Sequence, residues 1–122
     1  MIIFHTKLNI ADNSGGRFGQ CIKVLKGAYA SIGNIVVVVI KELRRTIKQK
    51  KIQKSSIYKG IIIRVKKKSS SLINTYSSFD DNAIVLINAS NRPIGSRIYG
   101  CVPFLLRKKR QNKILSIARI IS

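Results

Sequence analysis

The sequence predicts a mainly β protein, a small closed five-stranded β-barrel with a projecting basic arm and a short helical C-terminal region. Three observations carry this. Short β-branched runs recur between turn clusters through the first ninety residues. Helical spacing of apolar groups arises only after Pro103. The chain also sets 24 Lys+Arg against four Asp+Glu while staying 45% hydrophobic, which fits a folded core carrying basic extensions rather than a disordered basic tail. At 122 residues there is room for one domain, with the barrel over about 1–102, the arm over about 43–56 and the helical segment over about 103–122.

The expected strands are Lys7 to Ala11, Gln20 to Leu25, Ile35 to Glu42, Ile61 to Lys67 and Ala83 to Ile87. Between the first two lies "DNSGG", and before the third "SIGN"; both supply Gly and Asn where a chain reversal needs positive φ. Five short strands without an intervening helical period remove their exposed edges most economically by closing on themselves. In "LRRTIKQKKIQKSS" the cations interrupt every apolar face, so this stretch should project as a ribbon or long loop rather than pack in the core. "KKKSSS", Lys66 to Ser71, reads as a hairpin tip. "PFLLRKKRQNKILSIARII" opens with a Pro suited to a first helical turn and spaces its apolar groups three and four apart, which predicts one or two short helices.

Several function classes have nothing to rest on. One His and four acids include no recognisable general acid–base pair; Asp80 and Asp81 suit a turn, and Asp12 suits an Asx cap within its corner. No Walker, GxGxxG or HExxH pattern occurs, so no enzyme activity and no cofactor are expected. Cys21 and Cys101, with His5 as the lone further candidate, fall short of a zinc ligand set and read as buried free thiols. "MIIFHTK" has neither the basic nor the long apolar region of a secretory leader, and the longest apolar run, "IVVVVI", is far short of the ~20 residues of a membrane span, so no membrane insertion is expected.

The charge points to a polyanion. Between Lys41 and Lys68 lie twelve cations and one acid, Glu42, and a second cluster runs from Arg107 to Lys113. Such density costs stability unless phosphates meet it. The aromatics are scattered singly, without the paired spacing of single-strand readers, which favours structured RNA gripped by phosphate and sugar. The candidate RNA-binding residues in these clusters are Arg44, Arg45, Lys48, Lys50, Lys51, Lys54, Lys59, Arg64, Lys66, Lys67, Lys68, Arg107, Lys108, Lys109 and Arg110.

"LNIADNSGG", "CIKVL", "IGNIVVVVIKE", "GIIIRVKKK", "FDDNAIVLIN", "RPIGSRIYG" and "KILSIA" follow the order and spacing of the universal family fourteen of large-subunit ribosomal proteins, which the chain resembles from Met1 to about Ala118. The resemblance implies a five-stranded barrel with a protruding β-ribbon. It implies a non-enzymatic constituent of the large ribosomal subunit that binds large-subunit rRNA and contributes to an intersubunit bridge. The implied partners are the large-subunit protein of family nineteen, small-subunit rRNA across the bridge and, in many members, a ribosome-silencing factor. Lys23 falls where the family has its RNA-facing lysine, the stretch Arg44 to Lys54 where it has its ribbon, and Ser96 and Arg97 on the bridging surface, with Lys113 matching a basic residue close by.

The chain departs from the family pattern in three places. Ile73 and Asn74 replace an Asp-Gly turn, Val37 and Val39 stand at outward positions often polar, and "IARIIS" lacks the usual Pro and acid. The two outward valines imply a face covered by another protein or a chain extension. Abundant Ile and Lys with no Trp fit an A+T-rich genome and favour a mitochondrial ribosome, with a plastid or bacterial cytoplasm as the alternative. A cycling translation factor or RNA chaperone is the alternative function, and an RNA-modifying enzyme a weaker one.

Overall fold

The structure is a computed structural model and describes residues 2–25, 27–45, 52–66, 69–70, 76–77, 81–103, 106 and 112–121. Within these, the strands in chain order are β1 (Lys7–Ile10), β2 (Gly16–Val24), β3 (Ile35–Leu43), β4 (Ile57–Arg64), β5 (Ser69–Ser70), β6 (Tyr76–Ser77), β7 (Ala83–Ile87), β8 (Ile98–Val102) and β9 (Ala118–Ile121), with helix α1 at Asn112–Ile117. The alternating runs do what their period dictates: β1, β2, β3, β4 and β7 hydrogen-bond in that order, and β7 returns to pair in parallel with β1, closing a five-stranded barrel.

Inside the barrel Leu8, Ile10, Cys21, Val36, Val38, Ile40, Ile62, Ile84 and Leu86 are buried in one cluster. The outer side is divided. All five residues of β7 are buried, and so are Ile61 and Ile63 of β4; they share the core cluster with Val102, Leu106 and Ile114 of the C-terminal region. The apolar run "AIVLI" is thus continuous because both faces of its strand are covered.

Several expectations need correction. The second strand begins at Gly16, not Gln20. Of the two glycines that read as turn, Gly16 lies in the strand, where a Cβ would come within 2.5 Å of Ile10 and 2.8 Å of Ile52. The fourth strand runs Ile57–Arg64 rather than Ile61 to Lys67, opened by pairing with β3 and ended at a bulge between Ile62 and Arg64. The arm does not wholly project: Ile52 is 3% exposed and belongs to the core cluster. Ser69–Ser70 are a strand paired with Tyr76–Ser77 rather than a hairpin tip. "ARII" is no helix but β9, which pairs in parallel with β8, a strand whose short "IYGCV" pattern, bent at Gly100 (φ 80°), has no period to read. Neither cysteine is in a disulfide, but only Cys21 is buried; Cys101 is half-buried. Ile73, Asn74 and Asp80 lie outside the described residues.

Candidate nucleic-acid interface

The "DNSGG" corner is a fastening rather than a simple reversal. Asp12 is fully buried and accepts three hydrogen bonds, from Ser14 N (3.2 Å) and Ser14 Oγ (2.5 Å) at one oxygen and from Leu86 N (3.1 Å) at the other. The Asx cap is therefore present, but it also ties the corner to β7. Burial pushes the carboxyl above its ordinary range, against the opposing pull of those hydrogen bonds and of Arg44. Gly15 takes φ 116°, which only glycine adopts without strain, and the chain enters β2.

Asn13 grips the "PIGSR" loop. Its amide oxygen accepts from Ser96 N (2.8 Å) and Arg97 N (3.1 Å), and its amide nitrogen donates to Ser96 Oγ (3.1 Å). Gly95 permits this, because a Cβ there would meet that amide oxygen at 2.6 Å. Ser96 and Arg97 are thereby held exposed on a backbone fixed from both sides. Lys113 is exposed on α1, which leads directly into β9, and β9 begins with Ala118 paired to Ile98 beside Arg97. Ser96 and Arg97 thus lead into β8, and the helix that carries Lys113 leads into its partner strand β9.

The expected RNA-binding cations divide into two groups. Arg45, Lys54, Lys59, Lys66 and Lys23 are exposed. Arg44 and Arg64 are half-buried and bound into the barrel end. Arg44 Nε donates to Gly16 O and Nη2 to Ile10 O, both at 3.1 Å, and its guanidinium lies 5.0 Å from the Tyr99 ring centre. Arg64 Nε pairs with Asp81 Oδ1 at 3.2 Å and Nη1 donates to Tyr99 O at 3.3 Å. Asp81, expected in a turn role, is therefore a counterion, and it also accepts from Asn9 Nδ2 at 3.0 Å. Lys48, Lys50, Lys51, Lys67, Lys68, Arg107, Lys108, Lys109 and Arg110 lie outside the described residues.

Lys7 and Lys41 are among the further exposed cations not singled out from the sequence. The signal available was their phase: each sits one residue from a buried barrel position, Leu8 or Ile40, so it must face outward. Lys7 Nζ lies 3.9 Å over the Phe18 ring.

The described acids are already used. Among the described residues, Asp12 is sealed in the corner, Glu42 pairs with Arg17 at 3.1 Å and Asp81 pairs with Arg64. Lys23, Lys41, Arg45, Lys54 and Lys59 are thus exposed with none of those carboxylates paired to them. Such a surface can hold anions in extended array. Among known families, the chain matches along residues 1–122 the one described as ribosomal protein L14p/L23e.

Proposed function

Because the chain belongs to the ribosomal protein L14p/L23e family, it is a structural protein of the large ribosomal subunit and not an enzyme, and we propose that it holds large-subunit rRNA through its basic arm and clusters. The observation that carries this reading is the surplus of exposed cations over carboxylates, all of which are engaged internally among the described residues. The binding set is Arg45, Lys54 and Lys66, together with the sequence-adjacent Lys48, Lys50, Lys51, Lys67, Lys68, Arg107, Lys108, Lys109 and Arg110. Arg44 and Arg64 serve that set as internal struts. Lys23 and Lys59 stand apart from it, on the outer wall of β2 and β4.

The loop held by Asn13 is the proposed contribution to an intersubunit bridge. Ser96, Arg97 and Lys113 would meet small-subunit rRNA there, or a ribosome-silencing factor, with the large-subunit protein of family nineteen as neighbour. Support comes from rigidity: three hydrogen bonds fix the loop before any partner arrives, so little ordering entropy remains to be lost on contact. The Ile- and Lys-rich composition supports a mitochondrial ribosome.

Sedimentation of a gentle lysate in high salt and low magnesium, with fractions probed for this chain, tests the assignment. Retention in stoichiometric amount with the large subunit is the expected result. Release to the top of the gradient while subunits stay intact would establish a cycling factor instead.

A further inference from the structure

We propose that the outer face of the β2–β3–β4 wall is a docking surface for a protein whose aliphatic side chains are bordered by carboxylates. The inference rests on the large-subunit assignment only for where the partner is met. Two rows of outward residues build the surface. Lys7, Gln20, Val39 and Ile57 stand side by side across β1 to β4, and Lys23, Val37 and Lys59 form the next row. The first row extends to the N-terminal segment, because Gln20 Nε2 lies 3.0 Å from His5 Nδ1 and the His5 ring meets that of Phe4 edge-on at 3.8 Å.

Val37 and Val39 are half-buried among these neighbours rather than bathed in solvent, but Ile57 is 63% and Phe4 56% exposed. A solvated antiparallel wall alternates apolar inside with polar outside. Here β-branched residues stand outside on two adjacent strands, Val39 directly opposite Ile57 and Val37 in the next row. The same molecule shows what it does with outer aliphatics elsewhere: further along β4, Ile61 is 1% exposed and shares the buried cluster with the C-terminal Val102, Leu106 and Ile114. Around Val37, Val39 and Ile57 the chain's described residues cover the outer wall only in part.

The occupant's chemistry follows from three features. Strands β2, β3 and β4 each have ladder partners on both sides, so no strand can be added and contact must be made through side chains. The centre, Val37, Val39 and Ile57, is aliphatic and offers no ring face to stack a base, the Phe4 and His5 rings standing at its N-terminal edge, whereas apolar recognition of RNA relies on aromatic or guanidinium planes. An aliphatic centre with a charged rim is the anatomy of a protein–protein contact. The rim here is Lys7, Lys23 and Lys59, none paired with a described carboxylate, so the complementary surface carries Asp or Glu.

Photocrosslinking in the assembled subunit tests this. Ile57 and, in a separate chain, Phe4 are replaced by p-benzoylphenylalanine; Phe4 lies outside the barrel ladders, so its replacement leaves them intact. Subunits containing each chain are irradiated, and the adducts are digested and sequenced. The expected product at both positions is one protein peptide with aliphatic residues beside Asp or Glu. Adding Ile57→Asp to the Phe4 probe should lower its yield by about tenfold, since like charges across an interface repel strongly, and Ile57→Lys should lower it less. Adducts to rRNA, peptides without carboxylates, or no adduct from subunits that contain the chain would overturn the proposal. Failure of the wild-type chain to sediment with the large subunit would overturn the assignment instead, so the two failures are distinguishable.

Discussion

Asp12 shows how a single side chain joins distant parts of this fold, and each of its two oxygens faces a backbone N–H, of Ser14 at one and of Leu86 at the other, which can only donate. Replacing one oxygen by an NH2 group in Asp12→Asn turns a donor toward a backbone N–H, of Ser14 or of Leu86, and leaves that buried backbone donor unpaired. The expected loss is about 1–3 kcal/mol, read from urea or thermal melts. The pH trend has a definite sign. Burial raises the folded-state pKa above 3.8, so the stability that goes with the neutral acid is fully present below that value and is lost as pH rises through the folded pKa. The wild type should therefore weaken upward from about pH 4 while the variant does not, and the gap between them should narrow. At Gly95 the constraint is space. A Cβ in Gly95→Ala would press on the Asn13 amide oxygen at 2.6 Å, displacing the acceptor of the Ser96 and Arg97 N–H groups. A loss of about 1–3 kcal/mol in melts, with faster amide exchange confined to Ser96 and Arg97, is the expected outcome.

At the scale of elements, the arm between β3 and β4 is both anchored and charged, and the two properties separate by mutation. Ile52→Ala removes a core side chain that packs over Gly16 and should cost about 2–5 kcal/mol by thermal melt, whereas Lys54→Glu, at an exposed position, should leave the melt unchanged and weaken RNA binding. That Ile52 reads as part of a solvated stretch in the sequence shows where periodicity stops being informative. One apolar residue among lysines has no period, and only the chain's return past Gly16 decides its burial. β3 and β7 were legible because local alternation or a continuous run already encodes how many faces are covered. β8 and β9 were not, since each exists only by pairing with the other, across a separation no local pattern can express. The candidate interface was legible as charge, which composition reports directly. It was not legible as geometry: Arg44 and Arg64 read as surface cations, and only their acceptors, Gly16 O, Ile10 O, Asp81 and Tyr99 O, show them to be struts.

For the whole molecule, a formal charge of +20 on a 122-residue chain makes salt act with opposite signs on folding and on binding. In the free chain, like charges closer than the ~10 Å screening length at 0.1 M salt repel one another, so added salt should raise the melting temperature. Bound to rRNA, each cation that neutralises a phosphate releases counterions, so the same salt should lower affinity steeply, with a log–log slope of roughly 0.7–0.9 for each phosphate neutralised. Charge reversal at Arg45, Lys48, Lys50, Lys51 and Lys54 separates the two effects in one protein. The reversed chain carries less surplus charge, so its melting temperature in low salt should rise or hold. Its rRNA affinity should fall, and its salt slope should flatten by about one unit for each phosphate it no longer neutralises. Binding isotherms on large-subunit rRNA between low and moderate salt, beside melts of the same samples without RNA, decide the matter. An unchanged slope would mean that these side chains meet no phosphate, and the basic arm would then need another partner.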